Sequence, residues 1–257
     1  MKNLQFHKYQ GTGNDFVMID NREGVFNGED HDLVRKLCDR KFGIGADGLI
    51  LIQFHQESDF EMVYFNADAS QSMCGNGSRC AVMFAHQLGM IGVQCKFMAI
   101  DGLHEASIKN ELVNLKMGDV SDVQKIEEAY FINTGSPHHI KFVESVEDFP
   151  VYEEGKAIRN SDRYHQKGTN VNFVTLNGDN QIFVRTYERG VEDETLSCGT
   201  GVTACSLAAS FMDYKSPVTV QTLGGQLEVS FVRENGGFKN VYLRGPAEEV
   251  FKGSVEI

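Results

Sequence analysis

The chain has 257 residues, enough for two domains of modest size, and its 41% hydrophobic and 23% charged residues are the balance of a folded globular protein. A net charge of −12 repels phosphate backbones and anionic membranes, so no nucleic-acid or membrane partner is expected. No apolar run reaches the roughly 18 residues of a membrane span, and no leader-like stretch follows Met-Lys-Asn-Leu-Gln-Phe-His-Lys, so a cytoplasmic protein is expected.

In chain order, a Gly11-Thr12-Gly13-Asn14 turn comes first, then strand-like alternation at 49–54 and 60–66. Met73-Cys74-Gly75-Asn76-Gly77 follows and leads into an apolar helical pattern over 81–88, stopped by Gly89. Strands are expected at 93–100 and 112–117, and a seam at Gly118-Asp119. Beyond it come Asn133-Thr134-Gly135-Ser136 and strand patterns at 140–143, 173–176 and 182–188. Ser197-Cys198-Gly199-Thr200-Gly201 then opens an apolar helix over 204–212 that ends before Pro217. Strands at 218–222, 226–232 and 240–244 complete the pattern. Both helices are apolar nearly all round, which marks them as buried.

The order repeats itself. Cys198 lies 124 positions after Cys74, Glu188 lies 122 after Asn66, and Ser136 lies 122 after Asn14. A single repeat of this length means a duplicated domain, not a solenoid. The expected fold is therefore mixed α/β (α+β): two pseudo-symmetric domains, 1–118 and 119–257, each a mixed sheet or barrel wrapped on one central helix.

Of the six cysteines, none forms a CxxC pair and no His-rich tract accompanies them, so no metal site is expected. Gly11-Thr12-Gly13 lacks the third glycine and the frame of a dinucleotide fingerprint, and no cofactor is expected. Cys74 and Cys198 differ from the other four cysteines in their setting. Each precedes a Gly-x-Gly turn that opens a helix, where unpaired amides and the helix dipole favour a thiolate or a bound carboxylate. Two such loops facing one small molecule suit proton exchange at a stereocentre. One thiolate removes the α-proton, and the opposing thiol protonates the other face. A thiol of pKa about 8.5 reaches both forms near neutrality. Glu188 and Arg189 can grip an ammonium and a carboxylate. Asn14, Asn66 and Asn172 are placed at strand–loop junctions, where amides suit a zwitterion. A binding protein, or a redox protein closing a Cys74–Cys198 disulfide, is the alternative outside enzymology, and substrate-dependent α-proton exchange separates it from an epimerase.

Gly11-Thr12-Gly13-Asn14-Asp15-Phe16, Phe65-Asn66-Ala67-Asp68, Met73-Cys74-Gly75-Asn76-Gly77, Ser136-Pro137-His138, and Glu188-Arg189-Gly190 with Cys198-Gly199-Thr200-Gly201 resemble the diaminopimelate epimerase family, in family order. The resemblance implies interconversion of LL- and meso-diaminopimelate, on the route to lysine and peptidoglycan, without pyridoxal phosphate or metal. It implies a cytosolic homodimer whose last strand, near 247–257, returns to the first half. It makes Cys74 and Cys198 the acid–base pair. Asn14, Asn66, Asn172, Glu188 and Arg189 would bind substrate, and Gly75, Asn76, Gly199 and Thr200 would supply loop amides. His138 and Glu188 would tune the thiols. The chain departs from the family pattern at Ser136, often Asn, at Gly48, where some members have Gln, and in a shorter loop between Asn66 and Cys74. Proline racemases and hydroxyproline epimerases share the two-thiol logic but resemble Cys-Gly-His where this chain has Asn76. Phenazine-biosynthesis isomerases lack the paired thiols.

Overall fold

The computed structural model describes residues 2–257 as two compact units. The first takes the chain to Leu115 and regains it at Gly245–Ile257; the second is Lys116–Arg244. The chain runs through β1 (Asn3–Gly11), β2 (Asn14–Asp20), α1 (His31–Cys38), β3 (Gly48–Gln53), β4 (Phe60–Asn66), α2 (Gly75–Gln87), β5 (Gln94–Ala99), β6 (Gly102–Lys109) and β7 (Leu112–Lys116). It continues through β8 (Val123–Ile126), β9 (Ala129–Asn133), β10 (Pro137–Phe142), α3 (Val151–Arg159), β11 (Asn170–Leu176), β12 (Gln181–Glu188) and the short β13 (Asp193–Thr195). Then come α4 (Gly199–Ala209), β14 (Val218–Thr222), β15 (Gly225–Glu234), β16 (Gly237–Gly245) and β17 (Glu248–Glu256).

The pairings repeat strand for strand. In the first unit β1 lies antiparallel between β17 and β2, β2 runs parallel to β3, and β3 antiparallel to β4. Then β4 runs parallel to β5, followed by the antiparallel β5–β6–β7. In the second unit β9 lies antiparallel between β8 and β10, β10 runs parallel to β11, and β11 antiparallel to β12. Then β12 runs parallel to β14, followed by the antiparallel β14–β15–β16. Register repeats too: Ile50 pairs with Tyr64, and Asn172, 122 positions later, pairs with Thr186. The duplication is thus visible at single-residue level.

Each unit's central helix is buried on nearly every side, as its apolar sequence requires. In α2, Cys80, Ala81, Val82, Phe84 and Ala85 are sealed; in α4, Val202, Ala204, Cys205, Leu207 and Ala208. Full burial of one large apolar side chain contributes about 1.5–3 kcal/mol, so these helices anchor their units. The opposite sheet faces carry the amphipathic helices. Val34 and Leu37 of α1 pack with Leu49, Leu51 and Phe65, and Val151 of α3 packs with Val171, Phe173 and Tyr187. Alternate strand residues face opposite sides; hence Gly48, Ile50, Met62, Tyr64 and Asn66 lie on the α2 face, and Asn170, Asn172 and Thr186 on the α4 face. Among the described residues, no helix is long and apolar enough to cross a membrane.

Candidate active site

Cys74 is the N-cap of α2. Its backbone is extended (φ −131°, ψ 114°), and its sulfur accepts from the Gly77 N–H at 3.4 Å. Gly77 is confined: a Cβ there would meet Ile50 Cδ1 at 3.1 Å and Cys74 Cβ at 3.4 Å, so the turn presses directly onto β3. Cys74 Sγ also lies 3.5 Å from Asn14 Oδ1, which accepts from Asn76 Nδ2 at 3.3 Å. The structure therefore brings Asn14, Cys74 and Asn76 together.

Asn14 is held from behind. Its Nδ2 donates to Asp47 Oδ2 at 2.7 Å, which turns its Oδ1 toward Cys74. Arg40 bridges Asp47 and Asp15 at 2.7 Å each, and Lys8 pairs with Asp15 at 2.7 Å. Burial of Asp15 opposes its ionisation, but hydrogen bonds from Arg40 and Lys8 outweigh it and hold the carboxyl below the usual range. Asn14 follows a two-residue turn in which Thr12 (φ 51°) and Gly13 (φ 84°) are both left-handed, the geometry that joins β1 tightly to β2. Thr12 Oγ1 accepts from Arg79 Nη2 at 3.1 Å, and Arg79, on α2, is fully buried. Nothing in the sequence points to this role for Asp47 or Arg79, and Thr12 is legible there only as part of the Gly11-Thr12-Gly13-Asn14 turn. Asn66, at the end of β4, accepts from Tyr64 Oη at 2.9 Å and donates to Ser70 Oγ at 3.0 Å.

Cys198 caps α4 in the same extended conformation (φ −117°, ψ 109°) and is 7% exposed. Thr200 Oγ1 is the hub beside it: 3.5 Å from Cys198 Sγ, 2.9 Å from His138 Nε2 and 3.0 Å from Ser136 Oγ. Burial pushes His138 down to about 3, so the ring is neutral at physiological pH. Asn172 Nδ2 meets His138 Nδ1 at 3.2 Å, which makes Nδ1 the acceptor and places the proton on Nε2, facing the two hydroxyls. His138 thus reaches Cys198 through Thr200.

Asn172 is not at a strand–loop junction. It lies inside β11, fully buried, with Nδ2 also on the His139 carbonyl at 3.0 Å and Oδ1 on Thr186 Oγ1 at 2.9 Å. Its amide is committed to the interior. The residue that opens the strand is Asn170, which donates to Ser136 Oγ at 3.1 Å and accepts from the Arg189 N–H at 2.9 Å. The junction rule applied one side-chain period earlier finds it. Glu188 ends β12 and accepts from Thr195 Oγ1 at 2.9 Å; Arg189 is exposed, with Nη1 on the Lys167 carbonyl at 3.1 Å.

The remaining cysteines sit in dry surroundings. Burial pushes the thiols of Cys38 and Cys95 up to about 12, and those of Cys80 and Cys205 also well up, so all four stay protonated.

A Cβ on Gly201 would stand 2.5 Å from Asn172 Oδ1 and 3.3 Å from His138 Cε1. Gly201→Ala should therefore displace Asn172 and leave a buried amide unpaired, at about 1–3 kcal/mol. A lowered urea midpoint checks this; an unchanged midpoint would contradict the close packing.

The family model described as diaminopimelate epimerase matches residues 6–123 and 130–250. A diaminopimelate epimerase of Flavobacterium psychrophilum is 52% identical over 98% of this chain and 100% of its own, and one of Chlorobaculum tepidum is 41% identical over 96% and 99%. Among solved structures, a Bacillus anthracis phenazine biosynthesis protein of the PhzF family aligns with a TM-score of 0.75 at 15% identity, covering 100% of both chains. A probable proline racemase of Agrobacterium radiobacter aligns at 0.67 and 14%, covering 99% of this chain and 93% of that one. At such identities these likenesses show a shared fold, whereas the full-length matches place the sequence within one family. The chain belongs to the diaminopimelate epimerase family.

Proposed function

We propose that the protein is a cofactor-independent isomerase that interconverts LL- and meso-2,6-diaminopimelate, with Cys74 and Cys198 as the acid–base pair. The observation that carries this reading is the repeated loop: in each unit a cysteine in extended conformation caps a buried helix whose first turn is Gly-x-Gly. In the forward step one thiolate takes the α-proton, and the Cα–H electron pair passes into the adjacent carboxylate as an enolate-like dianion. The second thiol then gives its proton to the opposite face of Cα. The two sulfurs exchange protonation states, and no oxidant or reductant is needed. The first amides of each helix have no intrahelical acceptor and suit the growing charge on the carboxylate. Gly75, Asn76, Gly199 and Thr200 supply this backbone.

Asn14, Asn66, Glu188 and Arg189 are proposed to bind the substrate, with Asn170 taking the part first expected of Asn172. His138 acts on Cys198 through Thr200, and Glu188 contributes negative charge to the same unit. The reading also makes the protein a cytosolic homodimer in the supply of lysine and peptidoglycan precursors, with no nucleic-acid partner. Light scattering of the purified protein tests the dimer.

The deciding experiment is incubation with LL-diaminopimelate in D₂O, followed by proton NMR. Loss of the α-proton signal together with appearance of the meso isomer is expected; no exchange would overturn the reading. Arg189→Met should raise KM about tenfold, the lower end for a charged hydrogen bond because this side chain is exposed. Steady-state kinetics check this, and an unchanged KM would remove Arg189 from the site.

A further inference from the structure

Gly48, a departure from the family pattern, is explained by Tyr64. Gly48 pairs directly with Asn66 across β3 and β4, and Tyr64, two residues before Asn66, lies on the same α2-bearing face. A Cβ at Gly48 would stand 2.4 Å from Tyr64 Cε2, 3.0 Å from Tyr64 Oη and 2.5 Å from the Phe65 carbonyl oxygen. The phenol ring thus takes the volume that a side chain at 48 would fill. Phe16, the partner of Gly48 on β2, meets the ring edge-on with centroids 5.9 Å apart. The hydroxyl donates to Asn66 Oδ1 at 2.9 Å. That bond decides which way the Asn66 amide turns. Its Nδ2 then faces Ser70 and Ser72 and donates to their hydroxyls at 3.0 Å and 3.2 Å.

The second unit shows the alternative solution. With the same register 122 positions later, Asn170 stands for Gly48, Thr186 for Tyr64 and Glu188 for Asn66. There position 170 supplies the polar group itself, bonding Ser136 Oγ and the Arg189 N–H, and the small Thr186 leaves it room. In the first unit the neighbouring strand supplies the polar group, and the absence of a side chain at 48 admits it.

We propose that Tyr64 is a positioning residue of the first unit: its hydroxyl, carried over Gly48, orients the Asn66 amide for the amino-acid substrate and fills the place that the Asn170 side chain fills in the second unit. The proposal rests on the epimerase reading.

The test is a double-mutant cycle. Wild type, Tyr64→Phe, Asn66→Ala and the double variant are assayed with LL- and meso-diaminopimelate, and KM and kcat are separated. Tyr64→Phe keeps the ring and the packing around Gly48. It should raise KM about tenfold in both directions and leave kcat within about twofold, since the bond orients bound substrate and does not touch the reacting atoms. In the Asn66→Ala background the same change should add nothing, because its route is gone. Wild-type kinetics in Tyr64→Phe, a fall confined to kcat, or additive effects of the two changes would each overturn the proposal alone. A wild-type protein that does not turn over either isomer would overturn the epimerase reading and this proposal with it.

Discussion

Cys74→Ala and Cys198→Ala are each expected to abolish net epimerisation while the fold survives. Inversion at Cα needs a base on one face and an acid on the other, and a single thiol returns the proton to the side it came from. General acid–base groups contribute about 10²–10⁴-fold each, and members of one catalytic unit are not additive. The double variant should therefore be little worse than either single one. Neither residue is structurally demanding: Cys74 is half-buried, and each helix keeps its backbone cap, Ser78 N–H to the Cys74 carbonyl and Val202 N–H to the Cys198 carbonyl, both at 2.8 Å. Cys38→Ala and Cys95→Ala are the controls. Burial pushes their thiols up to about 12, so neither offers a thiolate near neutrality, and turnover should persist. NMR of the product stereoisomers, beside a urea unfolding curve, reads both quantities. Turnover near wild type in Cys74→Ala or Cys198→Ala would sink the two-base mechanism.

The parts of the molecule legible in its sequence were those whose signal is local. Cys-Gly-x-Gly followed by an apolar run identifies a capped, buried helix, and its recurrence 124 positions later identifies the duplication. The helices α1 and α3 are not legible in this way, because eight or nine residues give too short a pattern to separate an amphipathic helix from a loop. Asn170 and Asn172 share one strand face, so a period of two cannot rank them. Both are buried, and their partners separate them: Gly201 of α4 lies directly over Asn172, whose amide is spent on His138, His139 and Thr186. Asp47 acts on Asn14 across 33 positions of chain, a distance at which no spacing rule operates. Arg79 is the instructive omission. An arginine inside a helix normally marks the solvated face, but the start of α2 has no solvated face: Ser78, Arg79 and Cys80 are all sealed.

Arg79→Met is expected to cut activity far more than stability. Its Nε donates to the Pro246 carbonyl at 3.2 Å and its Nη2 to Thr12 Oγ1 at 3.1 Å, and neither partner carries a charge. Burying an ion costs several kcal/mol, and exchanging it for an apolar side chain of similar length is often neutral or stabilising. Two lost hydrogen bonds to a charged donor, at about 1.5–3 kcal/mol each, are thus offset largely by the desolvation recovered. The net change in unfolding free energy should stay within about 2 kcal/mol. Activity has no such offset. Arg79 grips Thr12 while its backbone is held in the left-handed region, a strain of about 1–3 kcal/mol for a non-glycine residue, and the next residue but one is Asn14, 3.5 Å from Cys74 Sγ. Released, the turn relaxes and Asn14 leaves the sulfur. The guanidinium also lies within electrostatic reach of Cys74; burial lowers its proton affinity, yet an arginine keeps its charge at any working pH. A fixed cation stabilises a thiolate roughly 4–8 Å away by about 2–4 kcal/mol at an effective dielectric near 20. Its removal should lower kcat/KM about a hundredfold. It should also make the Cys74 thiolate harder to form, so the midpoint of its alkylation by iodoacetamide moves to higher pH. Arg79→Lys, which keeps the charge but not the fork, should hold that midpoint while losing the grip on Thr12, and Thr12→Ala should weaken turnover without moving it. If the Arg79→Met protein alkylates with the wild-type pH profile, the charge does not act on Cys74, and the arginine is there only to tie α2 to its neighbours.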